Sequence, residues 1–299
     1  MTPLTVLMTA YNRESYIGAA IESVLAQRFG DFHLIVVDDC STDGTRDVAE
    51  RFARLDRRVR VEANPGNLGD YPNRNRAAGL VETEYFKFHD SDDVMYPHCL
   101  EVMMGYLAGE PAAGFAVSAH RAWPGGPCPM RLSPRLAYQR EFLGDGLFMV
   151  GPAGMLFRTA AFRAVGGFDE VGPHSDMAFW LKACRTLSVL LVPGDLYWYR
   201  VHEGQHLASA AAAFDAADPL RWAWDALDHP DCPLDVAERR QARRNLAFVN
   251  ARRLWRLARR GRWRPMAHHA RHCGLTPGDW ARHLRRPRRS TVAGTPPRS

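Results

Sequence analysis

The first hundred residues alternate between short apolar runs and longer segments whose apolar residues recur at helical spacing. The apolar runs cover residues 4–9, 34–37, 59–61 and 85–88. The helical segments cover residues 15–27, residues from Ser41-Thr42-Asp43 to about Leu55, and residues 71–81. Unbroken apolar runs are typical of parallel strands that are buried on both faces. The alternation therefore predicts an α/β fold with a mostly parallel, doubly wound sheet flanked by helices.

Polar clusters follow three of the predicted strands. They are TAYN at 9–12, Asp38-Asp39, and DSDD at 90–93. Ligands of doubly wound sheets bind at the carboxyl ends of the strands, so these clusters predict a site at that edge. The chain contains neither a GxGxxG pattern nor a P-loop, which argues against a dinucleotide-dependent oxidoreductase and against an ATPase.

The remaining sequence is less regular. Residues 110–200 have a mixed α/β pattern, and residues 122–135, rich in Pro and Gly, are expected to form a loop. After His206 the pattern becomes helical, with Leu246, Val249, Leu254 and Leu257 on one face and arginines around it. Residues 285–299 have no core-forming pattern and are predicted to be disordered.

Charge divides the chain into two parts. Residues 1–204 contain 20 Lys and Arg against 25 Asp and Glu, whereas residues 205–299 contain 19 Arg against 8 Asp and Glu. The overall charge of +6 therefore comes from the C-terminal third. We considered three roles for this arm: a solvated helical pair packed on the catalytic domain, an attachment to an anionic membrane surface, and nucleic-acid binding. No nucleic-acid motif is present, so no nucleic acid is expected as a partner.

Composition indicates a folded protein. Hydrophobic residues make up 46% of the 299, and no apolar run reaches the length needed to span a bilayer. The N-terminus lacks the basic start and cleavage site of a signal peptide. Six cysteines without a CxxC pair suggest reduced thiols. We therefore expect a cytoplasmic location, with possible peripheral binding at the inner membrane face.

The DSDD cluster carries the clearest chemistry. Asp90 and Asp92 are two carboxylates one residue apart at a strand end, a pattern that suits Mg²⁺ or Mn²⁺ bridging two phosphates. Acidic surface turns are also common, so the pattern alone does not identify a metal site. The other motifs along the chain make it specific.

Seven segments in order resemble glycosyltransferase family 2, whose fold is GT-A. They are TAYNR at 9–13, VVDDCSTDGT at 36–45, NLG at 67–69 with Arg74-Asn75, DSDD at 90–93, GGFDE at 166–170, Ser175-Asp176 with Trp180, and YRVH at 199–202. The resemblance covers roughly residues 4–209 and implies a GT-A catalytic domain there. Its halves would be 1–109 for the nucleotide sugar and 110–209 for the acceptor, followed by a helical extension at 210–284.

The resemblance also implies an activity. The chain would be an inverting transferase, of the hexosyltransferase class and with a role in polysaccharide biosynthesis. It would move a sugar from a nucleotide-diphosphate donor, most simply a UDP-sugar, to a hydroxyl of a saccharide, a lipid-linked molecule or a small molecule. Mn²⁺ or Mg²⁺ would assist.

Roles for individual residues come from the same resemblance. Asp176 would be the general base, Asp92 would ligate the metal, and His202 would contact the metal or diphosphate. Asp39 would accept a hydrogen bond from the nucleobase of the donor. It is expected to be a strand-end carboxylate outside the core. The remaining predicted donor contacts are Thr9, Ala10, Tyr11, Asn12, Arg74, Asp90 and Ser91.

Three residues depart from the family pattern. Cys40 stands where a glycine is usual, His89 replaces an apolar residue, and Ser175 replaces an acid beside the presumed base. Among weaker candidates, Asp38 and His206 are as well explained by structural roles. Gly166 and Gly167 are expected to serve turn geometry, and Trp180 is expected in the core or the acceptor wall.

Two rival functions remain open at this point. A sugar nucleotidyltransferase would also use an α/β sheet and acidic metal ligands, but it usually carries a glycine-rich basic loop after the first strand, and residues 9–15 have none. A non-catalytic membrane-surface protein on a degenerate transferase fold is the second rival. The replacement by Ser175 favours it, whereas the intact DSDD and Asp176 oppose it.

Overall fold

A computed structural model describes most of the chain. It covers residues 3–118, 128–144, 146–148, 150–172, 174–202, 221–273, 275 and 278. The described residues form two compact units, one within residues 1–133 and 148–200 and the other within 134–147 and 201–299. Residues 122–127, His206 and the predicted tail at 285–299 lie outside the described ranges.

The N-terminal elements of the first unit follow the predicted alternation. They are β1 Leu4–Ala10, α1 Glu14–Leu25, β2 Phe32–Asp38, α2 Thr45–Leu55, β3 Val59–Ala63, α3 Asp70–Gly79 and β4 Tyr85–Phe88. All seven residues of β1 are buried, as the unbroken apolar run predicts. On α1 the buried residues are Ile17, Ala20, Ile21 and Val24, one face at helical spacing.

The later elements complete the sheet and add one helix of the second unit, α5. They are β5 Val94–Met95, α4 Cys99–Ala108, β6 Ala113–Ser118, β7 Met130–Leu132, α5 Pro134–Leu143, a 3-10 turn at Pro152–Gly154, β8 Met155–Arg158, α6 Thr159–Val165, α7 Ser175–Ala183, β9 Ser188–Val192 and β10 Tyr197–Trp198.

The described strands build an eight-stranded sheet in the order β3-β2-β1-β4-β8-β6-β9-β7. Strands β3, β2, β1 and β4 are parallel, β8 is antiparallel to both β4 and β6, and β6 is parallel to β9. A two-stranded antiparallel pair joins β5 and β10. The predicted mostly parallel α/β sheet is therefore confirmed. The carboxyl ends of β1, β2 and β4 lie side by side, so the loops that follow them share one edge.

Two local predictions were wrong. The loop predicted at residues 122–135 was drawn too long, because Met130–Leu132 pairs with β9 and α5 begins at Pro134. Helix α2 begins at Thr45 after Gly44, later than Ser41-Thr42-Asp43 suggested. The Asp43 carboxylate accepts the Thr45 amide at 3.0 Å, so this side chain anchors the first turn from outside the helix.

An aromatic cluster fills the sheet face beneath α6 and α7. Phe168 and Phe179 have ring centroids 4.8 Å apart, and Phe86 stacks on Phe157 at 5.0 Å. Trp180 is fully buried and donates from Nε1 to the Val150 carbonyl oxygen at 3.1 Å. Trp180 is therefore a core residue, the first of its two predicted places.

The second unit contains α5 with three C-terminal helices: α8 Arg221–Asp228, α9 Val236–Arg259 and α10 Trp263–His272. Asp235 and Glu238 form a capping box at the start of α9. Arg135 of α5 contacts both carboxylates, at 2.7 and 2.8 Å, which ties α5 to the start of α9.

The buried face of α9 differs from the predicted one. Leu246, Leu254 and Leu257 are buried as expected, but Val249 is 38% exposed. Arg253, one of the arginines expected around that apolar face, is buried. Positions 246, 250, 253, 254 and 257 keep helical spacing, and position 249 lies outside that stripe.

Within the described residues, no helix has both the length and the apolar character needed to cross a bilayer.

Candidate functional site

The loops after β1 and β2 are held together by their own polar side chains. The Asn12 amide donates to Ser41 Oγ at 3.0 Å, and Asn12 Oδ1 accepts the Thr42 amide at 2.9 Å. The Arg13 amide donates to Thr45 Oγ1 at 2.6 Å. Asn12 itself has φ 51°, a left-handed conformation that asparagine tolerates better than most residues. The two loops therefore form one rigid rim at the sheet edge.

The predicted donor contacts of the first loop differ in exposure. Thr9 and Ala10 end β1 and are buried, whereas Tyr11 is 45% exposed at the rim. Ala10 contributes its carbonyl oxygen, which accepts the Asp39 amide at 2.8 Å. Of these three residues, Tyr11 presents the most side-chain surface to an incoming ligand.

Asp39 is more deeply integrated than the sequence suggested. The side chain is 2% exposed, and its carboxylate accepts the amides of Leu68 and Gly69, each at 2.9 Å. Asn64 Nδ2 donates to the same carboxylate. The expectation of a carboxylate outside the core was wrong, because the turn over residues 64–69 needs an acceptor for its amides. Asp39 therefore closes this turn from its position directly after β2.

Asp38 and Cys40 complete the turn after β2. Asp38 is buried, and its Oδ2 accepts the Ser41 amide at 3.1 Å, which supports the structural role for this residue. Cys40 is exposed with φ 62°, so the turn keeps the left-handed conformation that favours glycine. The departure at Cys40 thus leaves the turn in place at the cost of backbone strain.

Arg74 links α3 to the DSDD segment. It is buried and donates from Nε to Asp70 Oδ1 at 2.8 Å and from Nη2 to Asp90 Oδ1 at 2.7 Å. Burial alone would raise the pKa of Asp90, but the Arg74 guanidinium outweighs it and holds that pKa below its usual range. Arg74 and Asp90, predicted separately as donor contacts, are therefore brought together as a fixed, ionised pair.

The Asp92 carboxylate faces the first loop. Arg13 Nε donates to Asp92 Oδ2 at 3.1 Å, while Arg13 Nη1 donates to the carbonyl oxygens of Tyr11 and Asn12. Arg13 ends the TAYNR segment, and the motif alone predicts no role for it. The structure places its guanidinium on the carboxylate expected to bind a cation.

Asp93 is a second feature that sequence analysis did not single out. Burial, together with the nearby Asp90 carboxylate, raises its pKa to about 8. Its Oδ1 accepts the Arg200 amide at 3.0 Å, and Arg200 Nε donates to the Asp92 carbonyl oxygen at 2.8 Å. Arg200 belongs to the YRVH segment at 199–202, which is the sequence signal for this contact. Asp93 and Arg200 therefore fix the backbone of the acidic turn.

The donor set suits a hard divalent cation. Asp93 Oδ2 is buried without a hydrogen-bond partner in the described part of the chain, and burial, together with the neighbouring Asp90 carboxylate, raises the Asp93 pKa. The described residues contain no cluster of three or more His, Cys, Asp or Glu side chains that could hold a metal. Mg²⁺ is commonly held by one or two carboxylates together with substrate phosphates. A cation at Asp92 would thus depend on the diphosphate for further ligands.

Two side chains beneath the DSDD segment are fully buried. His89 has a pKa lowered to about 3, mainly by burial and further by Lys87, so it is a neutral core histidine. Lys87, which the sequence reasoning passed over, donates from Nζ to the Ala153 carbonyl oxygen. Ser91 is also buried, at 5% exposure.

Asp176 lies in the first turn of α7 and is half-buried. Burial raises its pKa to about 6, against opposing contributions from the Met177 amide, Arg74 and the Tyr71 hydroxyl. Ser175 is fully buried and turns inward, donating from Oγ to the Gly172 carbonyl oxygen at 2.8 Å. The replacement by Ser175 therefore closes the loop before α7.

The GGFDE segment is clamped to α3. Asn75 Nδ2 donates to the Phe168 carbonyl oxygen and Asn75 Oδ1 accepts the Phe168 amide, each at 2.9 Å. Gly167 has φ 73°, a left-handed conformation that favours glycine, so its expected role in the geometry of the turn is confirmed. Lys182 Nζ also donates to the Gly167 carbonyl oxygen at 3.1 Å. These contacts set the position from which α7 begins.

His202 is half-buried and belongs to the second unit. Its assignment to the metal or diphosphate stays a prediction.

Comparisons with known proteins agree with the fold. The model of a family described as "Glycosyl transferase family 2" matches residues 5–166, more than half of the chain. TarS of Staphylococcus aureus strain Mu50, a poly(ribitol-phosphate) beta-N-acetylglucosaminyltransferase, is 28% identical over 218 residues, which are 70% of this chain and 38% of TarS. The chain spans half or less of the first three curated relatives that match it, namely 50%, 32% and 38% of their lengths.

Two solved structures are similar in fold. S. aureus TarS 1–349 in complex with UDP-GlcNAc has a TM-score of 0.62 at 24% identity, covering 83% of this chain and 72% of that one. Mannosyltransferase PcManGT from Pyrobaculum calidifontis, in complex with GDP-Man and Mn²⁺, has a TM-score of 0.65 at 17% identity, covering 94% and 78%. At these identities the likeness concerns the fold.

Proposed function

Because this chain belongs to glycosyl transferase family 2, we propose that it is an inverting glycosyltransferase that uses a nucleotide-diphosphate sugar as donor. One observation carries the proposal: the Arg74–Asp90 pair, Asp92 and the loops after β1 and β2 share one sheet edge, and Arg74 also acts on Asp176, whose pKa burial raises and that guanidinium partly lowers. Donor-binding charges and a candidate base thus lie within electrostatic reach of one another.

The step is a single displacement at the anomeric carbon. The acceptor oxygen forms a bond to C1 as the bond from C1 to the diphosphate oxygen breaks, and the nucleoside diphosphate leaves with the bonding electrons. Asp176 takes the proton of the acceptor hydroxyl. Its pKa, about 6, is high enough to make the carboxylate a better base than an ordinary aspartate and low enough to keep it ionised at neutral pH.

The diphosphate needs positive charge as it departs. A divalent cation, Mn²⁺ or Mg²⁺, held at Asp92 would neutralise charge on the leaving group. Arg13 contacts Asp92 from the loop side, so its guanidinium is placed to add to that charge. The proposed neighbours of the donor's nucleobase and ribose are Asp39, Tyr11 and Thr9.

UDP-sugars are the proposed donor class. TarS is described in complex with UDP-GlcNAc and with UDP, which supports this choice. PcManGT is described with GDP-Man, so guanosine donors belong in any test. The acceptor is proposed to be a hydroxyl of a saccharide, a lipid-linked molecule or a small molecule. Action on the cytoplasmic side stays a prediction.

Mass spectrometry of donor hydrolysis tests the proposal. The protein is incubated with UDP-, GDP- and dTDP-sugars and Mn²⁺, and release of the nucleoside diphosphate is followed. We expect hydrolysis of one donor class, lost in Asp176→Asn while UDP binding persists. A nucleotidyltransferase would instead form pyrophosphate from a nucleoside triphosphate and a sugar phosphate. A non-catalytic protein would release nothing from any donor, and either result would overturn the proposal.

A further inference from the structure

The second unit has an uneven charge distribution along α9. From residue 239 to residue 278 the sequence contains twelve arginines and no acidic residue. The acidic residues near the start of the helix are already paired: Asp235 and Glu238 contact Arg135, and Asp228 contacts Arg243. The C-terminal half of α9 therefore carries arginines without acidic neighbours in the sequence.

Four of these arginines and two tryptophans are exposed at the end of α9 and the start of α10. The surface consists of Arg252, Trp255, Arg256, Arg259, Arg260 and Trp263, and all six residues are exposed. Positions 252, 255, 256 and 259 follow the i, i+3, i+4, i+7 spacing of one helix side. Trp255 is 53% exposed and Trp263 is 61% exposed. We call this surface the basic-aromatic face.

Packing explains why this side of α9 points outward. Leu246, Leu254 and Leu257 are buried, and Asn250, at helical spacing between them, is fully buried. This stripe fixes the rotation of the helix, so the opposite residues stay exposed. The basic-aromatic face is therefore held in one orientation by a packed core.

The arginines and aromatic rings of this helix are in contact. The Arg259 guanidinium lies 4.6 Å from the centroid of the Trp255 ring, and that of Arg252 lies 5.5 Å from the centroid of Phe248. An indole beside a guanidinium matches the boundary of a bilayer, where an apolar ring meets the acyl region and a cation meets the headgroups. A soluble polyanion would use the arginines but would leave large tryptophan surfaces in water.

We propose that the basic-aromatic face binds the surface of an anionic bilayer, with the arginines at the phosphates and Trp255 and Trp263 at the headgroup level. The proposal does not depend on the reaction catalysed. Interfacial attachment by such surfaces combines buried apolar area with attraction to anionic lipid, and the electrostatic part is screened by salt.

Vesicle flotation of the full chain tests the inference. Vesicles of phosphatidylcholine with phosphatidylglycerol are compared with phosphatidylcholine alone, at low and high salt. We expect binding to the anionic vesicles only, and weaker binding at high salt. Arg252→Glu/Arg256→Glu/Arg259→Glu should lower the partition coefficient by on the order of 100-fold or more. Trp255→Ala/Trp263→Ala should lower it by about tenfold.

A matched control separates the face from net charge. Arg51→Glu/Arg54→Glu/Arg57→Glu changes three exposed arginines of the first unit by the same total charge, and it should keep most of the binding. Equal loss in both triple variants, or none in the α9 variant, would overturn the proposal. Full binding by the tryptophan variant would overturn the assignment of Trp255 and Trp263 to the headgroup level and leave the arginines to act alone. Circular dichroism checks folding, and Arg252→Gln/Arg256→Gln/Arg259→Gln replaces the first variant if that one unfolds.

Discussion

Arg13 Nε donates a hydrogen bond to Asp92 Oδ2 at 3.1 Å, so the carboxylate proposed to hold a cation already has a positive partner. A divalent ion must share or displace this guanidinium to reach the same oxygen. The contact links the first loop to the acidic turn, and it makes the charge at Asp92 sensitive to both.

Metal dependence is the first prediction. UDP binding should be strengthened by Mn²⁺, and Asp92→Asn should abolish that gain because it removes the anionic ligand. Arg13→Gln should raise the affinity for Mn²⁺ alone, since no guanidinium then competes for Oδ2. Isothermal titration with and without EDTA measures both effects. Arg46→Gln, which breaks the exposed pair with Glu50, is the control. UDP affinity that is the same with Mn²⁺ and with EDTA contradicts the prediction.

A second prediction concerns Asp39. Asp39→Ala should lower the free energy of unfolding by about 1–3 kcal/mol, because the buried amides of Leu68 and Gly69 lose their acceptor. The same variant should weaken UDP binding. Urea unfolding and titration measure the two effects, with Asp47→Ala on the exposed side of α2 as control. An unchanged unfolding midpoint would show that the turn does not need this carboxylate.

Cys40 gives a third prediction. Its φ of 62° costs an L-residue about 1 kcal/mol, so Cys40→Gly should stabilise the protein, partly offset by the greater entropy of glycine in the unfolded chain. Cys40→Val should destabilise it, because a β-branched side chain tolerates this conformation least. Thermal unfolding of the two variants should move in opposite directions. A lower melting temperature for Cys40→Gly is the contrary result.

The clamp between α3 and the GGFDE segment gives a fourth. A Cβ at Gly167 would lie 2.7 Å from Asn75 Oδ1, on a residue with φ 73°. A Cβ at Gly166, with φ 87°, meets nothing within 4 Å. Gly166→Ala should therefore lower the free energy of unfolding by about 1 kcal/mol, the cost of the backbone strain alone. Gly167→Ala should lower it by about 1 kcal/mol more. Equal losses in chemical unfolding would show that Asn75 yields without cost.

The pH dependence of transfer is the fifth prediction. With a pKa of about 6, raised by burial, Asp176 is protonated below that pH and cannot accept a proton, so kcat/KM should fall as pH drops through about 6. Tyr71→Phe removes a hydroxyl that lowers this pKa, so the acid limb should move to higher pH. The other groups acting on Asp176 are Arg74, Asp70 and the Met177 amide.

Two results decide the fifth prediction. Asp176→Asn should lose transfer by on the order of 10²–10⁴ while keeping UDP affinity. An acid limb that stays in place in Tyr71→Phe would remove Tyr71 from the tuning of the base. Near-normal transfer by Asp176→Asn would reassign the base, with Asp169 and Glu170 next to test.

Local patterns in the sequence sufficed for β1, β2, β3 and β4 and for the sheet edge where they end. Each of these strands is an apolar run whose length and flanks indicate its conformation. The insertion of β8 between β4 and β6 was not predictable in this way, because it depends on pairings such as Val117 with Met155 across a long separation. Antiparallel pairing leaves no local mark on the strand.

The site shows the same division. The strand-end acids were identified because their types and spacing are informative in themselves. The burial of Asp39 and the contact between Arg13 and Asp92 were missed, since each depends on a loop that comes from another part of the chain. Lys87 was missed because a lysine inside an apolar strand resembles a position that faces solvent.

The three donors on the Asp39 carboxylate have a consequence for engineering. A designer who wishes to change which nucleotide the protein accepts would begin with the residue proposed to read the base, yet here that residue also closes the turn over residues 64–69. Libraries randomised at Asp39 would be depleted by poor expression before selection for a new donor began. Tyr11, on the exposed rim, is the position where such libraries should start.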